Sequence, residues 1–306
     1  MSIREQVRVE LQKATVLEDV KYSKGFYFEK VEDGLFQNRM PIKHTLMFDK
    51  GSGSELKDKG DELAKAKAID SSSMLSYNFF SWVSAERPLT LFGIKYTQVY
   101  FEIRLKTLTT SNAPANLDVA LVSSDNKNVL FIESKFLEYL SNEKSDISTS
   151  YTDEKRYFKE NKYIGKLTSL AKEFNGKSCG YYEGIKQNIC HFVAISNLKS
   201  QKAIDYAREK NVEAKHIFAD GVSYKFINLI YKPKPELKGA TERFNAYTQL
   251  LGDFKSKIGE CQSLLANEQI FKSYSDIYKE LKAEQNINNV PKNLLGYLKS
   301  RYDISD

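Results

Sequence analysis

Two apolar stretches near the middle of the chain each carry acidic side chains. The first contains Asp118, and the second, at residues 129–132, runs directly into Glu133 and Lys135. Polar turn residues at 123–128 separate the two stretches, so the pattern predicts a hairpin of two strands. Because side chains alternate along a strand, we expect Glu133 and Lys135 to share one face. An unpaired charge on a buried strand costs on the order of several kcal/mol, which favours a functional site here.

The residue pattern of the rest of the chain predicts further strands and several helices. Apolar and polar residues alternate over residues 98–106, which predicts a half-buried strand, and residues 224–231 predict another. Helices are expected where the pattern follows the helical period or is rich in Ala and charged residues, namely at residues 1–12, 55–68, 74–82, 154–174, 181–196, 202–210, 241–265, 271–283 and 291–302. The predicted core order is helix, three strands, helices, strand.

Breaks in this pattern divide the chain into three segments. Residues 26–50 are aromatic and irregular, and the Gly/Ser run at 51–54 predicts a flexible connector. Two prolines within residues 232–235 end the last strand, because proline cannot continue a sheet. We therefore expect an N-terminal segment, an α/β (α+β) core with a mixed central sheet flanked by helices, and an all-α C-terminal extension, at residues 1–50, 51–235 and 236–306.

Composition is that of an ordinary globular protein. Hydrophobic residues make up 41% and charged residues 28% of the chain, and no apolar run approaches the roughly 20 residues of a membrane helix. The polar N-terminus predicts no signal peptide, so we expect a cytoplasmic protein without a membrane partner. Cys179, Cys190 and Cys261 are widely spaced, which favours reduced thiols over disulfides or a zinc site. The formal net charge of +6 permits a polyanionic partner without requiring one.

The three charged side chains of the hairpin fit the hydrolysis of a phosphodiester. That reaction uses a divalent metal ion to offset the charge of the phosphate and to lower the pKa of an attacking water. Mg²⁺ prefers oxygen ligands and often takes only one or two carboxylates, which Asp118 and Glu133 supply. We therefore expect Mg²⁺ or Mn²⁺ at this pair. Lys135 adds an ammonium group that orients the water or stabilises the developing negative charge.

This arrangement resembles the PD-(D/E)xK nuclease superfamily, whose members include restriction endonucleases. The shared core of that superfamily runs helix, three antiparallel strands, helix, strand, with Asp at the start of the second strand and Glu-x-Lys on the third. Asp118, Glu133 and Lys135 match these positions, with Leu117 in place of the proline that names the motif. The helix that carries Gln187 is similar to the helix after the motif, where a glutamine often faces the site.

The resemblance implies a restriction-endonuclease-like core and a type II-like restriction endonuclease that cuts double-stranded DNA and leaves 5′-phosphates. It implies that the three hairpin residues and Gln187 are catalytic, and that Asp118 and Glu133 bind the metal. Many members add an acidic ligand from a helix before the strands, for which Glu62 is the first candidate and Glu55 the second. Cutting both strands requires two sites, so we expect a homodimer.

Other charged residues are weaker candidates. Glu102 lies on the first strand and could reach the site, but it alternates with apolar residues, which favours a solvent-facing side chain. His191, one turn from Gln187, fits a satisfied helix histidine better than a metal ligand. Four lysines of the 154–174 segment recur at spacings of three and four. They would either track phosphates along one helix face or form a solvated surface. These lysines are Lys155, Lys159, Lys162 and Lys166.

Spacing alone does not identify the site, because an acid two residues before a lysine also occurs elsewhere, for example at Glu55 and Glu160. The context of Glu133, at the end of a buried strand beside a second acid-bearing strand, distinguishes it. Three alternatives stay open. The charges could form a structural ion-pair cluster, the enzyme could be a structure-specific repair, recombination or transposition nuclease, or the fold could bind DNA without catalysis.

Overall fold

The strands form a principal sheet of six strands and a small two-stranded hairpin. The structure is a computed structural model that describes residues 1–15, 20–50, 55–141, 146–175, 182–283 and 289–304; the connector predicted at residues 51–54 and Cys179 lie outside them. The hairpin contains β1 (Tyr22–Lys24) and β2 (Tyr27–Phe28). The sheet contains, in spatial order, β3 (Leu89–Leu91), β4 (Ile94–Leu105), β5 (Ala115–Ser123), β6 (Asn128–Lys135), β7 (Ser223–Ile230) and β8 (Phe271–Ser273).

Strand direction divides the principal sheet into two halves. Strands β3 to β6 pair antiparallel, whereas β6, β7 and β8 run parallel. The hairpin between β5 and β6 closes where the Ser123 hydroxyl donates to Asp125. Asn126 in the same turn has a φ of 58°, a left-handed conformation that Asn tolerates. This mixed sheet confirms the predicted α/β class, and the finer restriction-endonuclease-like arrangement stays a prediction.

Helices cover both faces of the sheet. They are α1 (Ile3–Ala14), α2 (Ile42–Asp49), α3 (Ser72–Phe80), α4 (Ile164–Phe174), α5 (Tyr182–Ser196), α6 (Gln201–Lys210), α7 (Lys238–Lys257), α8 (Tyr274–Ala283) and α9 (Leu294–Tyr302). The Ser71 hydroxyl caps α3 by accepting the Met74 N–H. The Ser134 hydroxyl of β6 donates to the Ser72 carbonyl, so α3 lies on the Ser134 face, and α5 lies on the opposite face through His191.

Three predictions of local structure were wrong. Residues 55–68 contain a single 3-10 turn at Lys65–Lys67 where a helix was predicted, because charged and Ala-rich composition favours a helix without providing a face to bury. The helix predicted at 154–174 is confirmed only from Ile164, with a 3-10 turn at Glu154–Arg156 before it. The C-terminal extension is not all-α, since β8 pairs with β7; a three-residue strand is too short to show a period.

One hydrophobic cluster extends from Val7 to Ile304 and joins all three predicted segments. The predicted boundaries at residues 50 and 235 therefore do not separate independent cores, and the division into domains stays a prediction. Cys190 and Cys261 are free thiols, as predicted for these two residues. Within the described ranges, no helix has the length and apolarity required to cross a bilayer.

Candidate active site

Three carboxylates lie in one row across neighbouring strands of the sheet. Phe101 pairs with Val119 in the β4–β5 register, and continuing that register puts Glu102 opposite Asp118. Val119 pairs with Ile132 in the β5–β6 register, so Asp118 in turn lies opposite Glu133. Residues directly opposite each other in an antiparallel pair point to the same face. Glu102, Asp118 and Glu133 are therefore placed side by side on β4, β5 and β6.

Glu133 has a basic side chain on each side. Its Oε1 lies 2.7 Å from the Lys135 Nζ, and its Oε2 lies 3.0 Å from the His191 Nε2 on α5. Glu133, Lys135 and His191 are 4%, 7% and 3% exposed. The shared face predicted for Glu133 and Lys135 agrees with this ion pair. A carboxylate has about four lone-pair sites, so these two contacts leave acceptor capacity on both oxygens.

Asp118 lies where β5 and β6 part. The last residue pair of the β5–β6 ladder is Val119 with Ile132. Beyond this pair, the side chain of Asp118 forms the hydrogen bond to β6. Its Oδ2 accepts the Ser134 N–H at 2.6 Å. The adjacent Ser134 hydroxyl meets the Tyr274 hydroxyl at 2.7 Å on the other face. These bonds fix the carboxylate of Asp118 beside that of Glu133.

The row opens into two adjoining cavities of about 220 and 400 Å³. Five residues line both cavities, namely Ser72, Asp118, Glu133, Glu138 and Gln187. Lys135 lines the smaller cavity together with Gly184 of α5 and Tyr247 of α7. Glu102 lines the larger cavity, to which α1 also contributes. Asp118 and Glu133 thus border both cavities, whereas Glu102 borders only the larger one.

Burial and mutual repulsion keep part of the acidic row protonated. Burial, together with the charges of Glu133 and Glu102, raises the pKa of Asp118 well above its ordinary value. Burial and the charges of Glu55 and Glu133 raise the pKa of Glu102 to about 8. Burial acts on Glu133 in the same direction, but Lys135 and His191 outweigh it and lower that pKa to about 2. The row therefore holds more acidic side chains than the single ammonium group of Lys135 can pair with.

Lys135 stays charged in this environment. Burial alone lowers the pKa of its ammonium group, but the negative charge of Glu133, followed by that of Glu138, outweighs burial and raises the pKa above its ordinary value. An ammonium group with a raised pKa keeps its proton at neutral pH. Lys135 therefore acts as a hydrogen-bond donor and a positive charge, and not as a base.

The donor set fits a hard divalent cation. Asp118 and Glu133 offer oxygens, and a bound cation would favour the ionised forms of Asp118 and Glu102, whose pKa values burial and neighbouring acids raise in its absence. In the part of the chain that the structure describes, no group of three or more His, Cys, Asp or Glu side chains already converges as a metal site. Mg²⁺ often uses one or two carboxylates and completes its shell with waters and substrate phosphate. The pair of Asp118 and Glu133 meets that requirement.

The structure brings Gln187 to the site and leaves Glu62 outside it. Gln187 lines both cavities, and its buried Oε1 has no hydrogen-bond partner among the described residues. Glu62 is exposed in a turn closed by backbone hydrogen bonds with Lys59, and it lines neither cavity. Glu55, the second candidate, does line the larger cavity, where it accepts from the Ser73 hydroxyl at 2.9 Å.

The four predicted DNA-binding lysines do not share one helix face. Only Lys166 lies on α4, because the preceding residues form turns around the buried side chains of Tyr157 and Phe158. Lys155 and Lys159 are exposed and line a third cavity of about 850 Å³. The remaining one, Lys162, stacks on Tyr163 with its Nζ 4.8 Å from the ring centroid. The prediction of a continuous basic face was wrong, and DNA binding by these lysines stays a prediction.

Two residues have contacts at the site that the sequence did not predict. Glu102 was expected to face solvent, but it is half-buried and lines the larger cavity beside Asp118. The alternation along β4 could not show this, because helices cover both faces of the strand. His191 was expected to be a satisfied helix histidine and not a metal ligand, and its contact with Glu133 agrees with that expectation, although the sequence did not predict Glu133 as the partner. The sequence feature that could have indicated this contact is the position of His191 one helical turn after Gln187.

Comparisons with known proteins give no assignment for this site. No protein-family model, curated protein or solved structure matches the chain. The relation to the nuclease superfamily therefore stays a prediction that rests on Asp118, Glu133 and Lys135.

Proposed function

We propose that the protein is a metal-dependent endonuclease that hydrolyses phosphodiester bonds of double-stranded DNA, as restriction endonucleases do. The observation that carries this proposal is the row of Glu102, Asp118 and Glu133, which places three acidic side chains beside the positively charged Lys135. A purely structural ion pair needs one carboxylate for one ammonium group. The additional half-buried carboxylates cost stability without such a cation, which favours a catalytic site over a structural cluster.

Asp118 and Glu133 are the residues that would hold Mg²⁺ or Mn²⁺. Such an ion, when bound, offsets the charge of the phosphate and lowers the pKa of the attacking water. Lys135 donates a hydrogen bond to that water or to a phosphate oxygen, and its positive charge stabilises the negative charge that develops in the transition state. His191 and Lys135 together hold Glu133 ionised and oriented.

Two finer features of the proposal concern the DNA and the assembly. Cutting both strands of a duplex requires two sites, so we propose that the protein acts as a homodimer. A restriction enzyme cuts a plasmid into discrete fragments, whereas a repair, recombination or transposition nuclease nicks it or cuts junctions. Digestion of a supercoiled plasmid separates these activities.

Lys135→Ala tests the proposed activity. We expect the Mg²⁺-dependent cleavage rate to fall about 100- to 1000-fold, because the transition state loses its positive charge, while DNA binding persists. Lys127→Ala is the matched control, since Lys127 is exposed and directly precedes β6, at the opposite end of the strand from Lys135. Circular dichroism shows whether both variants are folded. Full cleavage by folded Lys135→Ala protein would refute the assignment.

A further inference from the structure

Two arginines of α1 converge on one buried carboxylate next to the candidate active site. The Nε and an Nη of Arg4 each lie 2.8 Å from the Oδ2 of Asp70, and an Nη of Arg8 lies 2.8 Å from its Oδ1. Asp70 is 3% exposed. Each oxygen of the same carboxylate thus forms an ion pair with a different guanidinium group, and among the described residues Oδ2 accepts a hydrogen bond from Arg4 whereas Oδ1 accepts none.

The charges of this cluster do not balance. One carboxylate neutralises one guanidinium group, so the two arginines and Asp70 together carry about one positive charge. The buried Nε of Arg8 has no hydrogen-bond partner among the described residues, and the side chain of Arg4 is 41% exposed. The cluster therefore keeps donors and charge that Asp70 does not use.

The cluster lines the same cavity as the acidic row. Arg4, Arg8 and Asp70 line the cavity of about 400 Å³ together with Asp118 and Glu133. Positive charge is thus placed within one cavity beside the carboxylates that would hold the metal. Helix α1 is itself well anchored, because a capping box starts it and its buried side chains Val7 and Leu11 belong to the hydrophobic core.

We propose that Arg4 and Arg8 form a binding subsite for a phosphate of the DNA strand, next to the phosphate that is cut. This inference rests on the proposed function, which puts a DNA strand in this cavity. Guanidinium groups present several N–H donors in a fixed plane and bind phosphate oxygens by charge-assisted hydrogen bonds. A phosphate group is the anionic part of DNA, and its oxygens accept from N–H donors of the kind that Asp70 leaves unused here.

DNA affinity as a function of salt concentration tests the subsite without requiring cleavage. The full-length wild type, Arg4→Gln, Arg8→Gln and the double variant are titrated with a short labelled duplex in EDTA. Arg87→Gln removes the same charge from an exposed residue that does not line the cavity and is the control. For each single cavity variant we expect about tenfold weaker binding and a slope of log affinity against log salt smaller by about one.

Melting temperatures identify variants whose fold has changed, and Arg4→Lys, which keeps the charge at Asp70, replaces any variant that does not fold. For Arg4→Lys we expect intermediate affinity, because lysine lacks the planar fork. Wild-type affinity and slope in folded cavity variants would overturn the subsite, as would wild-type protein that binds no DNA.

A second titration uses inorganic phosphate alone. Saturable phosphate binding that is lost in the cavity variants, with duplex binding unchanged, would show a free-anion site and overturn the DNA assignment.

Cleavage of the duplex in Mg²⁺ is measured separately. Reduced slopes with no cleavage by the wild type would support the subsite and refute the nuclease activity. Normal cleavage with unchanged slopes would support the nuclease and refute the subsite.

Discussion

At the scale of single residues, Glu102 combines a half-buried carboxylate with a left-handed backbone. Its φ is 54°, and such a conformation costs a residue other than glycine about 1–3 kcal/mol. It occurs at the position opposite Asp118, where two carboxylates meet on neighbouring strands. The same side chain has a pKa raised to about 8 by burial and by Glu55 and Glu133. Glu102 is therefore a residue whose titration should affect the stability of the metal-free protein.

Glu102→Gln should remove a loss of stability that develops as the pH rises from about 4.5 to about 8. Between the ordinary pKa of about 4.5 and the folded-state pKa of about 8, the folded protein binds more protons at this carboxyl than the unfolded chain. Its contribution to stability therefore falls as pH rises through that window, by at most about 1.4 kcal/mol per pH unit. We expect the unfolding free energy of the variant, relative to wild type, to increase over this range.

Urea unfolding in EDTA at several pH values measures this difference. Glu242→Gln, on the exposed side of α7, is the matched control and should show no such trend. A constant difference between Glu102→Gln and wild type across the window would contradict the raised pKa of Glu102.

At the scale of elements, the β5–β6 hairpin was predictable from sequence because both strands are buried apolar runs separated by turn residues. The acidic row was not predictable, because alternation gives the face of a residue within one strand but not the register between strands. Asp118 and Glu133 were identified, whereas the place of Glu102 beside them depends on the β4–β5 pairing. The contribution of α1 depends on tertiary packing, which brings Arg4 to Asp70 from 66 residues away.

The contact between α5 and α7 gives a second prediction at this scale. A Cβ on Gly184 of α5 would lie 2.2 Å from the hydroxyl oxygen of Tyr247 on α7. Gly184→Ala must therefore displace the Tyr247 ring, which also stacks on Tyr139. We expect the unfolding free energy to fall by about 1–3 kcal/mol, as for other overpacked sites, and measure it by denaturant unfolding.

Gly252→Ala in α7 is the control for this substitution, because a Cβ there has no atom within 4 Å. In that helical position alanine should stabilise the protein by up to about 1 kcal/mol. Equal stability of Gly184→Ala and wild type would show that α5 and α7 are not held at this distance.

At the scale of the whole molecule, a single hydrophobic core holds together residues that lie far apart in sequence. The cluster includes side chains from Val7 to Ile304, and α1, β4, β5, β6 and α5 all contribute charged or polar residues to the two cavities. Composition and the apolar pattern predict a globular α/β protein but not this assembly. The short strand β8 joins the sheet, and the ends of the chain join the core, through tertiary packing. Such packing has no local pattern in the sequence that would predict it.

The account as a whole depends on whether this assembly cuts DNA through the acidic row. The most direct measurement is to incubate wild type and Asp118→Asn with diverse unmodified and methylated DNA in Mg²⁺ and to sequence the resulting ends. The account predicts new ends with 5′-phosphates for the wild type in Mg²⁺ but not in EDTA, and their loss in folded Asp118→Asn protein, because the metal loses a carboxylate ligand. Equal cleavage by both proteins, or intact DNA with the wild type, would contradict it.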